Sequence, residues 1–293
     1  MQSRTLITGA TGFVGTAVSR VARSRSLRLT SRSGGGDGSV DAVDVTQLSE
    51  VLDAARGVDS IVHCVSYVGT DSALAWHVND GGTRVLLQAA TRLGISKITY
   101  VSTTGVYGRG AFSGADESTP TAPSSAASHS RLSAERRIIA AGGSVIRPHL
   151  VYGRGDRWFI PGLLHVAARV GGLPSASMIS TISVESLASQ VWALHEGASA
   201  VVNAVHDLPS SPLAILWATT ARLGLGRTSP AQPLKIRERL AEAGLSDHQI
   251  DMLTQPNWFS SQGQRGALAG FSSRPFRLQS DAIEWYRAQY GKR

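Results

Sequence analysis

Thr8-Gly9-Ala10-Thr11-Gly12-Phe13-Val14-Gly15 follows the short apolar run Thr5-Leu6-Ile7 and opens a stretch of helical spacing from about Val14 to Arg23. Three glycines between a strand and a helix are the context of a dinucleotide-binding turn. Gly9 permits the tight turn, Gly12 lets the backbone approach a pyrophosphate, and Gly15 lets the helix pack on the sheet. The helix start adds unpaired N–H groups and a partial positive charge. A dinucleotide cofactor is therefore expected against Gly9, Thr11, Gly12, Phe13 and Val14.

Outward from this turn, strands and helices alternate. Leu27–Thr30, Val40–Val45, Ser60–Val65 and Ile98–Val101 read as strands, with helices at Val51–Ala55 and Asp80–Leu93, the latter closed by Gly94. Strands separated by helices at this spacing build a parallel doubly wound sheet. Ligands then bind at the carboxyl ends of the strands, near the switch in strand order. Pro120–Ser130, rich in Pro, Ser and Ala, reads as a surface loop entering a helix. After Gly153 the periodicity weakens and Pro, Gly and Trp become frequent. The expected fold is α/β: a Rossmann domain over 1–152 and about 179–204, with a small substrate-binding lobe from about 153–178 and 205–293.

The chain has 293 residues, 42% of them hydrophobic and 17% charged, which suits an ordinary globular protein. The N-terminus carries no apolar run of signal length, and no stretch approaches the roughly 18 apolar residues of a membrane span. A cytoplasmic location is expected, with no membrane partner. The single cysteine, Cys64, excludes an internal disulfide and a cysteine metal cluster; no metal site is expected. The net charge of +8 is spread over scattered arginines, with only Arg136-Arg137 adjacent. That pattern argues against nucleic acid and for a surface that attracts small anions, including a cofactor phosphate.

The cofactor is read at the end of the second strand. An acid there would bind the ribose 2′-hydroxyl of NAD. The chain offers Ser31-Arg32-Ser33 instead. Arg32 suits a 2′-phosphate and the two hydroxyls suit donation to it, so NADP(H) is expected. The nearest acid, Asp37, lies beyond three glycines.

At this point the chain resembles the extended short-chain dehydrogenase/reductase family of sugar-nucleotide epimerases and dehydratases, over about the first 205 residues. Thr8–Gly15 is similar to the family's TGxxGxxG turn. Asp44-Val45 resembles its adenine-contacting segment. His63-Cys64-Val65-Ser66 stands where the family has a loop beside the cofactor, and Asn79 with Gly82-Thr83 resembles its N-x-x-G-T helix start. Val101–Gly108 is similar to the strand that carries the catalytic Ser/Thr. Arg147-Pro148-His149-Leu150-Val151-Tyr152-Gly153 resembles the strand beside the nicotinamide. Ile182–Ala188 resembles I-x-V-x-D-x-A, with Glu185-Ser186 where Asp is usual, and Asn203 fits the late Y-N-x-G strand. The resemblance implies cofactor contacts from Cys64, Val65, Ser66, Pro148, His149 and Leu150.

The resemblance also implies a catalytic Tyr four residues before a Lys on one helix. Here Ala127-Ser128-His129-Ser130-Arg131-Leu132-Ser133-Ala134-Glu135 stands against Y-x-x-S-K-L-x-x-E. Ser130, Leu132 and Glu135 fix the register, so Ala127 replaces the tyrosine and Arg131 the lysine. No tyrosine occurs between Gly108 and Val151. His129 lies about 200° around the helix from position 127 and points away. Arg131 keeps hydrogen bonds for a ribose but does not titrate near neutral pH. Thr103 remains as a donor to a substrate oxygen. Thr103 and Arg131 are thus the candidate catalytic residues.

Three readings follow. The first is an NADPH-dependent ketoreductase whose proton comes from water or from a hydroxyl on the substrate, as from a phenol beside the carbonyl of an aromatic polyketide; it has a looser likeness to atypical ketoreductases of angucyclinone antibiotic biosynthesis. The second is a sugar-nucleotide epimerase or dehydratase. The third is a non-catalytic NADP-binding protein, a sensor or an interaction partner. Candidate substrate contacts are Ser66, Tyr67, Thr104, Tyr107, Trp158 and Phe159, an aromatic wall suited to a polycyclic aromatic ketone. Trp158 and Phe159 serve equally well as core of the small lobe, and Tyr107 and Tyr152 sit in V-Y-G motifs that are commonly structural. Monomer and homodimer stay open.

Overall fold

A computed structural model describes residues 3–22, 25–36, 38–226, 235–268 and 275–290. The expected helix end at Arg23 and the acid Asp37 lie outside these residues. The strands are β1 (Arg4–Thr8), β2 (Ser26–Ser31), β3 (Asp41–Ala42), β4 (Ser60–His63), β5 (Lys97–Val101), β6 (Phe112–Ala115), β7 (Ser144–Pro148), β8 (Leu150–Tyr152), β9 (Thr181–Ser183), β10 (Val201–Ala204) and β11 (Asn257–Phe259). The helices are α1 (Phe13–Val21), α2 (Leu48–Ala55), α3 (Ser72–Ala75), α4 (Gly82–Leu93), α5 (Ala126–Ala140), α6 (Phe159–Val170), α7 (Val184–Glu196), α8 (Pro212–Leu223), α9 (Ile236–Glu242), α10 (Asp247–Thr254), α11 (Gln262–Ala267) and α12 (Ser280–Tyr290).

Seven strands form one parallel sheet in the order β10-β7-β5-β4-β1-β2-β3. This is the Rossmann-type α/β architecture expected from the alternation. The order reverses between β1 and β4, so the loops after these two strands diverge and leave a crevice at their carboxyl ends.

Alternation along each strand builds the two faces. Ile7, Val62, Val101 and Ile146 point to one side, where they pack with Ala17 and Val18 of α1 and Leu187, Ala188 and Val191 of α7. Trp192 fastens these helices by donating its indole N–H to the Val18 carbonyl at 2.9 Å. Leu6, Ile61, Ile98, Tyr100 and Val145 point to the other side, against α2, α4 and α5. A further apolar cluster joins Tyr152 and Ile160 to side chains of α8, α9, α10 and α12. Two small parallel pairs, β6 with β11 and β8 with β9, bring distant segments together at the carboxyl edge of the main sheet.

Three element boundaries differ from the sequence reading. The expected strand over Val40–Val45 shrinks to Asp41–Ala42, because the chain turns at Asp44, whose carboxylate accepts from the backbone and hydroxyl of Thr46. The strand expected to reach Val65 ends at His63. The helix expected from Asp80 is preceded by a π-turn over Trp76–Gly81. π-turns cluster at functional sites, and this one carries the fully buried Asn79.

Candidate active site

The glycine turn is built as a cradle. Gly9 adopts φ +72°, where a side chain is strained, and a Cβ on it would lie 3.0 Å from the Val65 nitrogen. A Cβ on Gly15 would lie 2.1 Å from the Gly9 carbonyl oxygen, so α1 seats on the turn only with glycine at 15. Gly12 caps α1 without a side-chain partner for its first N–H groups, and Thr11 and Gly12 are exposed. The N–H groups of this helix start and the surface beside them are open to an anion. These residues fit a dinucleotide pyrophosphate.

Beyond β2, Arg32 and Ser33 are exposed beside the turn. Ser31 is buried, and its hydroxyl donates to the Gly34 carbonyl at 3.2 Å. Its proton is therefore directed into its own turn, which corrects the expectation of two donating serines; Arg32 and Ser33 remain. Asp44 stands near Arg32 and His77. The Thr46 backbone N–H, then the Thr46 hydroxyl and these two neighbours, hold its carboxyl below the usual range against the opposing effect of partial burial. Val45 is buried against Gly82, where a Cβ would meet it at 2.8 Å.

The loop after β4 is held from below by a chain of hydrogen bonds. Thr83 donates its hydroxyl to the Asn79 carbonyl at 2.6 Å, so it accepts from His63 Nε2 at 3.2 Å. His63 Nδ1 is then the acceptor for Thr8, at 2.6 Å. Burial lowers the His63 pKa to about 4, and the ring stacks on Tyr100 with centroids 5.3 Å apart. His63 is thus a neutral strut between β1, β4 and α4. Cys64 follows it as a free thiol that burial pushes up to about 12, which leaves it unreactive.

Asn79 holds the next part of this loop. Its amide accepts from the Tyr67 N–H at 2.7 Å and donates to the Tyr67 carbonyl at 3.0 Å and to Ser130 Oγ at 2.9 Å. Ser130 lies one residue before Arg131 on α5. Arg131 Nε donates to Ser66 Oγ at 2.5 Å. Burial lowers the Arg131 pKa, opposed by Tyr100 and Glu135; a guanidinium nonetheless stays charged. Tyr100 carries a buried hydroxyl without a partner, and burial raises its pKa.

At the end of β5, Thr103 accepts from the Gly105 N–H at 3.1 Å, which leaves its hydroxyl proton free. Thr104 Oγ1 and His149 Nδ1 lie 2.6 Å apart. Burial, helped by His248, lowers His149 to about 3, so it is neutral. The α5 start lies against this strand end, where a Cβ on Gly105 would be 3.8 Å from Ser128 Cβ. Ser125 and Ser128 cap α5 reciprocally, which places Ala127 in the first turn, while His129 is exposed.

These residues open on a cleft of about 490 Å³. Its walls include Phe13 and Val68, Thr103 and Thr104, His149 to Val151, and Asp156, Trp158 and Phe159. Its other described lining residues are Gly105, Gly108, Phe112, His248, Met252, Asn257 and Phe259. Thr104, Trp158 and Phe159 are where the sequence reading expects substrate contacts, and Trp158 is 79% exposed rather than core. Phe159 serves both purposes, facing the cleft and the apolar cluster of α6.

Three expected substrate contacts are corrected. Tyr107 is buried; it donates to Asn203 Oδ1 at 2.8 Å and accepts from Arg147 Nη1 at 3.0 Å. Arg147 is held in turn by Glu135 on α5. Tyr107 is therefore a strut between the 3₁₀ turn Thr104–Tyr107, β7 and β10. The Tyr67 hydroxyl folds back to accept from the Asp71 N–H at 3.3 Å. Ser66 is taken up by Arg131, and neither Ser66 nor Tyr67 lines the cleft. Val68, Phe112 and the residues of α10 and β11 were not anticipated. No local motif marks them; the β6–β11 pairing brings Phe112 and Phe259 together, with ring centroids 5.3 Å apart.

A family profile described as NAD dependent epimerase/dehydratase family matches residues 5–178. A 2-alkyl-3-oxoalkanoate reductase of Stenotrophomonas maltophilia is 28% identical, over 89% of this chain and 92% of its own. The short-chain dehydrogenase/reductase family 42E member 1 of Bos taurus is 24% identical, over 85% and 77%. Among solved structures, a UDP-glucose 4-epimerase superposes with a TM-score of 0.77 at 18% identity, over 98% of both chains.

Proposed function

The chain belongs to the NAD dependent epimerase/dehydratase family and is an NAD(P)-dependent oxidoreductase, and on that premise we propose that it is an NADPH-dependent ketoreductase acting on a ketone of a polycyclic aromatic polyketide. One observation carries the reading. Beyond the residues assigned below to the cofactor, the cleft in front of Thr103 is walled by Val68, Phe112, Met252 and Phe259, and among the described residues no lysine or arginine lines it. A nucleotide sugar would bring a diphosphate, which calls for cationic partners. An apolar ketone needs only one polar anchor.

The cofactor is assigned to Gly9, Thr11, Gly12, Phe13 and Val14 at its pyrophosphate, and to Arg32 and Ser33 at a 2′-phosphate. Asp44 and Val45 take the adenine side, Cys64, Val65, Ser66 and Arg131 the ribose side, and Pro148, His149 and Leu150 the nicotinamide side. When bound, the reduced cofactor supplies hydride to the substrate's carbonyl carbon.

Thr103 donates its free proton as a hydrogen bond to the carbonyl oxygen and stabilises the negative charge that grows there. Arg131 fixes the ribose and adds positive charge, but gives up no proton. Ala127 offers none either. The alkoxide is therefore protonated by a hydroxyl on the substrate or by water. General acid catalysis contributes about 10²–10⁴-fold, so its absence slows a reductase without abolishing it. An epimerase or dehydratase, which starts by oxidising an alcohol, would need a base at position 127.

The test is NADPH consumption with a panel of peri-hydroxylated polycyclic ketones and nucleotide sugars. Turnover of the aromatic ketones alone is expected. Turnover of nucleotide sugars overturns the substrate class, and tight NADPH binding without any turnover supports a sensor instead.

A further inference from the structure

Trp158 is held in an unusual way. The residue is 79% exposed, yet its backbone is tightly fixed. The Asp156 carboxylate accepts from the N–H groups of Trp158, Phe159 and Ile160 at 2.8, 2.9 and 2.9 Å. Asp156 is itself buried and receives the Tyr286 hydroxyl at 2.8 Å, while its carbonyl receives the Trp285 indole N–H at 3.1 Å. The residue that starts α6 is thus anchored to α12. A large aromatic ring is presented to solvent from a rigid base.

The ring also borders the cleft that contains Thr103. Val68, from the loop after β4, is 64% exposed and borders it too. Both therefore stand at its opening. Exposed tryptophan leaves much apolar surface in water, and such residues dominate binding energy when a partner covers them. An indole presents a broad flat face, which a planar ring covers better than a flexible chain does, and a fixed backbone reduces the ordering cost of binding.

We propose that Trp158 is a stacking platform for a planar part of the substrate that extends beyond the cleft, away from the reacting ketone. The substrate is then an extended flat molecule, with its ketone at Thr103 and a distal ring on Trp158. This rests on the ketoreductase reading and narrows its substrate class.

The experiment compares kcat/KM and Kd for an extended fused-ring ketone and for a one- or two-ring ketone, in the wild type, Trp158→Ala and Trp158→Phe. The expected result is that Trp158→Ala lowers the preference for the extended ketone about tenfold, mostly through KM, and that Trp158→Phe restores most of it. If the wild type reduces both ketones and Trp158→Ala keeps their ratio within twofold, the platform is overturned and the ketoreductase reading stands. If the wild type reduces neither ketone, both fall together.

Discussion

Arg131 Nε and Ser66 Oγ meet at 2.5 Å, although the two residues lie 65 positions apart in sequence. The bond orients a guanidinium on α5 from the loop after β4. Ser66 is thus a positioning residue for Arg131 in the proposed cofactor site. Hydrogen bonds to charged groups contribute about 1.5–3 kcal/mol, so Ser66→Ala is expected to raise the Kd for NADPH by about tenfold. Arg131→Ala should raise it further. Direct binding titration checks this; an unchanged Kd in Ser66→Ala would mean that the bond does not orient the arginine.

Arg32 is the proposed partner of the cofactor's 2′-phosphate. Arg32→Ala is expected to raise KM for NADPH tenfold or more and to leave KM for NADH nearly unchanged, since a charge-assisted phosphate contact is lost from one cofactor only. Steady-state kinetics with both cofactors measure it. Equal losses for the two would remove the 2′-phosphate assignment.

Thr103 is the proposed donor to the substrate's carbonyl oxygen. Loss of one such donor costs on the order of 10²-fold in kcat. Thr103→Ala should show that loss, and Thr103→Ser should recover most of it because the serine hydroxyl can also accept from the Gly105 N–H. A Thr103→Ala enzyme with kcat within threefold of wild type would rule out the role.

Acid should destabilise the fold well above the carboxylate range. His63, His195 and His206 are buried, and burial lowers each to about 4. A folded-state pKa below the unfolded value means that the unfolded chain takes up protons first as pH falls. Stability is complete above the ordinary histidine value and is lost progressively from there down to about 4. At about pH 5 each such histidine costs on the order of 2 kcal/mol. Thermal melts across this window should show a steep fall in Tm. A flat Tm profile, or a His63→Gln variant with the same pH slope as wild type, would contradict the account.

The sheet and the cradle could be read because their signals are local. A glycine at 9 and another at 15 answer to a backbone turn a few residues long, and the strand ends carry the chemistry that such a sheet demands. Arg131 could be placed because Ser130, Leu132 and Glu135 set its register. What escaped depends on packing between distant segments. Tyr107 looked like an aromatic wall until Asn203 and Arg147 claimed its hydroxyl, and nothing near residue 107 announces partners 40 and 96 positions away. The Ser31 hydroxyl turned inward for the same reason as Asp44 did: a small polar side chain satisfies its own turn first. The far wall of the cleft, from His248 to Phe259, comes from one short helix and a three-residue strand whose periodicity is too brief to place them.

The edge of the main sheet has a consequence for how the chain is made. β10 completes the hydrogen bonding of β7, yet it leaves the ribosome some fifty residues later. At ~5–20 residues per second the nascent chain carries an open, apolar strand edge for several seconds. Val145 and Ile146 are fully buried once β10 arrives, but until then that edge is a template for any other extended chain. The yield of folded protein should therefore be governed less by the cofactor cradle, finished early, than by the delay before residues 201–204 close the sheet.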